Sequence, residues 1–226
     1  MPGACSEHFA LALKILSRAA HLADSRQFNQ GVSMKKVLFS LCFLGNLVYA
    51  SELQIYDEQK SVLLQQTSDQ KEIAACLNAI GVRFEQWEAA QPLTPSSSGE
   101  EIQEAYMVDI QRLKEENGFQ SVDVIRMYPD HPQKVEFRQK FLNEHTHDEP
   151  EIRFFVEGSG LFFLHVGESV YSILCEKGDL ISIPQNYRHW FDMGTDPFFT
   201  AIRFFTRTEG WIAHFTDDPI AQTFAH

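Results

Sequence analysis

Thiols, phosphate-binding loops and clustered positive charge are what this sequence has least of. Its 226 residues include only four cysteines, Cys5, Cys42, Cys76 and Cys175. They are scattered and form no C-x-x-C pair, which excludes a disulfide framework, so they read as reduced or buried thiols. Lys and Arg number 19 against 31 Asp and Glu, for a net charge of −12 at pH 7. Nucleic acid and anionic membrane surfaces both call for clustered cations, and this balance excludes them as main partners. No Gly-rich phosphate loop or dinucleotide fingerprint occurs, which removes nucleotide cofactors. The apolar run Val37 to Tyr49 is too short for a comfortable membrane-spanning helix. Internal repeats and low-complexity tracts are also missing.

What is present is apolar and aromatic. Hydrophobic residues make up 44% of the chain and phenylalanine occurs nineteen times, enough for a packed core. The first fifty residues differ from the rest. A weak helical period spans Phe9 to Leu16, and Met34-Lys35-Lys36 then leads through the apolar run to Ala50-Ser51. That order resembles a secretory signal cleaved after Ala50, although such a signal should open a chain. Either Met34 is the true start or the likeness is accidental. The expectation is an N-terminal extension over residues 1–50 and one domain over 51–226, acting as a monomer.

Within the domain, Leu53 to Tyr56 reads as a strand. Ile73, Cys76, Leu77 and Ile80 give the apolar stripe of a helix over about 70–80, with Asp69 and Glu72 as a capping-box pair and Gly81 as its stop. Val82 to Glu85 alternates as a strand. Ser98 and Glu101 cap a second helix, striped by Ile102, Tyr106, Ile110 and Leu113 and ended by Asn117-Gly118. Val122 to Met127 is a strand and Lys134 to Phe141 a short helix. Beyond it come short strands separated by turns at Glu157–Gly160, Gly167–Ser169 and Lys177–Asp179, closing with Arg188 to Asp192 and Phe198 to Phe205. The fold class is therefore mainly β, an antiparallel sandwich or barrel with a few helices packed outside.

The densest chemistry lies in Glu144-His145-Thr146-His147-Asp148-Glu149-Pro150-Glu151. Strand residues two apart share a face at ~3.3 Å per residue, so His145 and His147 can lean onto one ion. Glu151 keeps their parity and can add a carboxylate, and His189 is the best candidate for a fourth donor. Three imidazoles and a carboxylate without thiolate suit Fe(II), Ni(II), Mn(II) or Zn(II), and on an octahedral ion they leave two positions open. His131, His165, His214 and His226 lack such company and read as ordinary surface or core residues. Arg153 shares the donors' parity and should face the pocket, where a buried guanidinium needs an anion. For Arg203, a pocket role and a structural ion pair stand equal. Phe141, Phe191 and Trp211 can line an apolar sub-site. Glu144 can accept a substrate proton or be a solvated face residue.

Glu151 followed by Gly158, then Gly178, Asp179, Pro184 and His189, matches the two-part cupin signature. The strings Glu-His-Thr-His, Arg-Phe-Phe-Val-Glu-Gly-Ser-Gly and His-Trp-Phe-Asp-Met-Gly resemble the acireductone dioxygenases of methionine salvage, from about Leu53 to the C-terminus. Asn186 departs from the cupin pattern where Gly is preferred, and Asn tolerates a left-handed backbone. Gln139 replaces the opening Gly of the first motif. The resemblance implies a jelly-roll barrel and His145, His147, Glu151 and His189 as ligands of one Fe(II) or Ni(II) per monomer. It also implies acireductone and O2 as substrates and a cytoplasmic location, export being the alternative if the Met34 segment works as a signal. On the four donors alone, another cupin oxygenase or isomerase, or a non-catalytic metal- or sugar-binding cupin, would also fit.

Overall fold

The computed structural model describes residues 50–59, 62–207 and 210–224. The signal-like run up to Tyr49, Cys5, Cys42 and His226 lie outside them. The strands are β1 (Glu52–Asp57), β2 (Val62–Thr67), β3 (Arg83–Gln86), β4 (Ser121–Met127), β5 (His145–Thr146), β6 (Glu151–Val166), β7 (Ser169–Glu176), β8 (Asp179–Ile183), β9 (Arg188–Asp192), β10 (Phe199–Phe205) and β11 (His214–Phe215). The helices are α1 (Gln70–Ala79), α2 (Gly99–Ala105), α3 (Met107–Asn117), α4 (Lys134–Phe141) and α5 (Ile220–Thr223).

Every pairing among these strands is antiparallel. β6 belongs to two layers. Its first half lies between β10 and β8, which continue to β4 and β3. Its second half lies between β9 and β7, which continue to β5 and β11 on one side and β1 and β2 on the other. The result is the cupin-type double sheet.

This corrects one expectation. Glu157–Gly160 is not a turn between two strands but the middle of one long strand. The register with β10 slips between Thr200 and Ala201, a bulge that lets the strand bend from one layer into the other. Gly158 sits there at φ +69°, and a Cβ on it would lie 1.9 Å from the Phe198 carbonyl oxygen. The bulge also inverts the strand's parity. Before it, Phe155 joins the inner core; after it, Phe162 and Leu164 do.

The inner core is Phe155, Phe162, Leu164, Ile173, Ile181 and Phe191, with Ile73 and Leu77 of α1 closing one end. The opposite face of the first layer carries Ile152, Phe154, Ile202 and Phe204. Burying each such side chain is worth about 1.5–3 kcal/mol, so this face needs a cover. The stripe Ile102, Tyr106, Ile110 and Leu113 provides it. α5 and Phe224 cover the second layer, where Phe163 and Trp190 stack 8° from parallel.

The helix signals hold with two changes. Ser98 and Glu101 form the capping box, but the expected single helix breaks at Tyr106 (φ −117°, ψ 18°) into α2 and α3. Asp69 caps α1 by accepting from the Lys71 and Glu72 N–H groups. Glu72 does not complete a capping box; its carboxylate accepts from the Thr67 hydroxyl instead, at 2.7 Å. Thr67 ends β2, an edge strand not anticipated from the sequence, whose Val62, Leu63 and Leu64 are exposed.

Candidate metal centre

β5 is only two residues long, and its one pairing with β9 sets His145 opposite His189. His147 follows β5, and Glu151 opens β6. Through these three short connections the four side chains arrive at one point. One donor atom from each of His145, His147, Glu151 and His189 lies within 4.8 Å of all the others, and all four residues are buried. Glu151 Oε2 is 3.1 Å from both His147 Nε2 and His189 Nε2.

Each imidazole is oriented by its other nitrogen. Nδ1 of His145, His147 and His189 lies 2.7, 2.7 and 2.8 Å from the carbonyl oxygens of Asn143, Ile212 and Tyr187. A carbonyl only accepts, so each Nδ1 carries the hydrogen and each Nε2 turns its lone pair to the centre. Lone pairs and a carboxylate oxygen at 3.1 Å repel unless a proton or a cation lies among them. The donor set therefore fits a divalent ion, and it holds no thiolate.

The electrostatics of His145 and Glu151 agree, and in the metal-free site a proton on His147 takes the cation's place beside Glu151. Burial, with His189 next, pushes His145 down to about 4 from its usual 6.5, which favours the neutral form a ligand must have. Burial alone would raise the Glu151 carboxyl, but Arg153, His147 and His189 hold it well below the usual carboxylate range. Burial also works to lower His147, but its bond to Glu151 outweighs this and raises it.

A cavity of about 660 Å³ opens onto the cluster. Arg153, Arg203, Phe141, Phe191 and Trp211, singled out in the sequence, all line it. Arg153 is 5% exposed and donates from Nη2 to Glu151 Oε1 at 2.9 Å. Its carbon centre sits 4.4 Å from the Phe191 ring centroid and 5.2 Å from that of Phe162. Its Nε and Nη1 are buried with no hydrogen-bond partner among the described residues. Arg203 is half-buried and forms a two-pronged pair with Asp123 at 2.6 and 2.9 Å, so both of its readings meet at one place. Trp211 lies against His147, ring centroids 6.1 Å apart. Arg138 grips Asp192 at 2.8 and 2.9 Å and pins α4, with Phe141, to β9.

Glu144 does not reach this cavity. Next to His145 on an extended segment it points the opposite way. Its carboxylate is engaged by His165 and Thr216, each at 2.7 Å. His165 is thus a satisfied interior residue, and His214 an exposed one 3.1 Å from Asp148. His131, read as ordinary from sequence, lines the cavity wall together with Lys140 and Met127. No local spacing marks these three.

Comparison with known proteins is consistent over the domain. The ARD/ARD' family model matches residues 52–213. The acireductone dioxygenase of Alcanivorax borkumensis is 51% identical over 175 residues, covering 77% of this chain and 97% of that relative. That of Stenotrophomonas maltophilia is 55% identical over 176 residues, covering 77% and 95%. A solved acireductone dioxygenase from Bacillus anthracis, with a cadmium ion in its active centre, superposes with a TM-score of 0.65 at 28% identity. It covers 74% of this chain and 98% of its own.

Proposed function

The chain belongs to the ARD/ARD' family, and from that premise we propose that it is a metal-dependent dioxygenase cleaving acireductone, 1,2-dihydroxy-3-keto-5-methylthiopentene, with O2. His145, His147, Glu151 and His189 hold one Fe(II) or Ni(II) per chain. When bound, such an ion supplies Lewis acidity and a template for a substrate chelating through two oxygens. With Fe(II) the products are 4-methylthio-2-oxobutanoate and formate; with Ni(II) they are methylthiopropionate, formate and carbon monoxide. Both sets contain all the atoms of substrate plus O2. The reaction belongs to methionine salvage, which is cytoplasmic chemistry.

The observation that carries this reading is Arg153. A buried guanidinium with two unpartnered N–H positions beside four converged donors asks for an anionic guest next to an ion. In this reading Nε and Nη1 donate to the substrate enolate and hold its charge, while Nη2 keeps Glu151 ionised. Arg203, fixed by Asp123, adds a second cation to the wall. Phe141, Phe191 and Trp211 take the methylthio tail and exclude water from the reacting carbons. Glu144, turned away with its carboxylate engaged, has no proton-transfer role.

The test is anaerobic loading of the purified protein with Fe(II), followed by acireductone and O2. Oxygen uptake that depends on acireductone, with equimolar formate, is expected. Tight metal binding without uptake would leave a binding module and refute the dioxygenase reading.

A further inference from the structure

The loop between β8 and β9 holds two of the four donors at once. Asn186 donates its N–H to the His147 carbonyl at 2.8 Å, and the Tyr187 carbonyl accepts from His189 Nδ1, also at 2.8 Å. Two adjacent residues thus couple imidazoles that lie far apart in the chain. The loop's own backbone is weakly held. Gln185 and Asn186 are exposed, Asn186 sits in the left-handed region at φ +63°, and the turn closes on a long bond of 3.3 Å from the Tyr187 N–H to the Pro184 carbonyl. A side chain supplies what the backbone lacks. The Tyr187 hydroxyl donates to the Ile80 carbonyl at 2.6 Å. Ile80 is the C-cap of α1, where helix carbonyls have no intrahelical partner, so the hydroxyl satisfies an acceptor that the helix leaves open. α1 is a firm anchor, since Ile73 and Leu77 are fully buried in the inner core and both Ile80 and the Tyr187 ring pack against that core. The next residue makes room for the bond: Gly81 has φ +79°, and a Cβ there would stand 3.3 Å from the Tyr187 hydroxyl oxygen.

We propose that Tyr187 is a positioning residue whose hydroxyl ties the β8–β9 loop to the end of α1, and that this tether fixes the His189 ring and the His147 backbone against each other. The path is short. The hydroxyl holds the residue, its carbonyl holds His189 Nδ1, and the neighbouring Asn186 N–H holds the His147 carbonyl. A hydrogen bond to the outer nitrogen of a ligand imidazole sets its tautomer and its direction, so a carbonyl that rocks takes the ring with it. Loss of the hydroxyl bond frees the loop to rock about Pro184, and two of the four donors then meet an ion at poorer angles. The proposal rests on the four-donor cluster being a metal site.

The experiment measures Ni(II) affinity of the metal-free full chain by competition with a chromophoric chelator, alongside thermal melting. Tyr187→Phe keeps the ring on the core and deletes only the hydroxyl. Ni(II) binding should weaken about three- to tenfold, most of what one hydrogen bond is worth. Gly81→Ala crowds the same hydroxyl from the α1 side. It should weaken Ni(II) binding in the wild-type background and add nothing to the affinity loss of Tyr187→Phe, while its left-handed backbone strain lowers the melting temperature in both. Val170→Ala serves as a control. It trims the outer apolar cluster with Phe163 and Trp190, so it should lower the melting temperature without moving Ni(II) affinity. Equal affinity in Tyr187→Phe and wild type overturns the tether, as does a loss in Val170→Ala as large as that in Tyr187→Phe. An affinity loss from Gly81→Ala that is the same with and without the hydroxyl also overturns it. Wild-type chain that binds no Ni(II) overturns the metal reading itself, and the tether with it.

Discussion

Replacing Arg153 by methionine separates charge from shape at a buried cation facing the metal cluster. Methionine keeps an unbranched apolar stem that can pack between Phe162 and Phe191, whose ring centroids lie 5.2 and 4.4 Å from the guanidinium. What disappears is one N–H bond to Glu151 Oε1 and the two N–H positions, Nε and Nη1, that have no protein partner. A hydrogen bond to a charged group contributes about 1.5–3 kcal/mol. Two such bonds to an anionic substrate amount to about 3–6 kcal/mol, so at about 1.36 kcal/mol per tenfold kcat/KM should fall roughly 10²- to 10⁴-fold. The assay is acireductone-dependent oxygen uptake by the Fe(II)-loaded variant, with metal content measured on the same sample. The loss should remain after correction for metal content, because the four donors are all present even though Glu151 gives up its bond from Nη2. A kcat/KM within about threefold of wild type at equal occupancy would refute the assignment of Nε and Nη1 to the substrate.

Three further outcomes are expected. His189→Ala removes a donor, not an orienting partner, so Ni(II) affinity should drop by more than the roughly 10–100-fold typical of outer partners; chelator competition showing a smaller loss would place His189 outside the metal sphere. In the metal-free protein, burial and then His189 lower His145 from 6.5 to about 4, so its stabilising contribution is complete above 6.5 and drains away as the pH falls through 6.5 toward 4. That loss amounts to about 3 kcal/mol. His147, raised by Glu151, works oppositely but only as the pH climbs above 6.5. Denaturant midpoints should therefore fall between pH 6.5 and 4.5, and a flat or rising profile would contradict the burial argument. Gly160→Ala would put a Cβ 2.4 Å from two ring carbons of Phe191; overpacking of this kind costs about 1–3 kcal/mol. The displaced ring also covers Arg153, so a lower melting temperature should come with a raised KM, and an unchanged melt would show that the ring has room to move.

Much of this was legible because it rests on local rules. α4 spans Lys134–Phe141, the bounds expected from the sequence. Ser98, Gly118 and Asn186 sit where capping and left-handed geometry require them, with φ +71° at Gly118 and +63° at Asn186. Asn186 even serves the site, its N–H donating to the His147 carbonyl at 2.8 Å. The same parity rule that sends His145, His147, Glu151 and Arg153 inward sends Glu144 outward, so its absence from the cavity was there to be read. The orienting carbonyls of Asn143, Tyr187 and Ile212 were not, because any residue type supplies a carbonyl. His131 and Lys140 reach the cavity wall only through tertiary packing, and the break at Tyr106 leaves no mark in an apolar stripe that runs straight through it.

The bulge in β6 explains why one strand can serve both a polar site and a sealed core. Ahead of it, inward positions carry Glu151 and Arg153, an ion pair that would be costly to bury without partners; outward positions carry Ile152 and Phe154, covered by α2 and α3. Past it, inward positions carry Phe162, whose ring lies against the Arg153 guanidinium, and Leu164 of the inner core, while His165 turns outward to Glu144. A strand of constant parity would have sent Phe162 and Leu164 out and His165 in among the core phenylalanines. Two apolar side chains would then lose about 1.5–3 kcal/mol each, and an imidazole would sit without its carboxylates. The register slip at Thr200–Ala201, with glycine at 158 to permit it, is therefore a condition of the metal cluster as much as of the fold. It allows Glu151 to face the donors while the far half of the same strand shuts water out behind them.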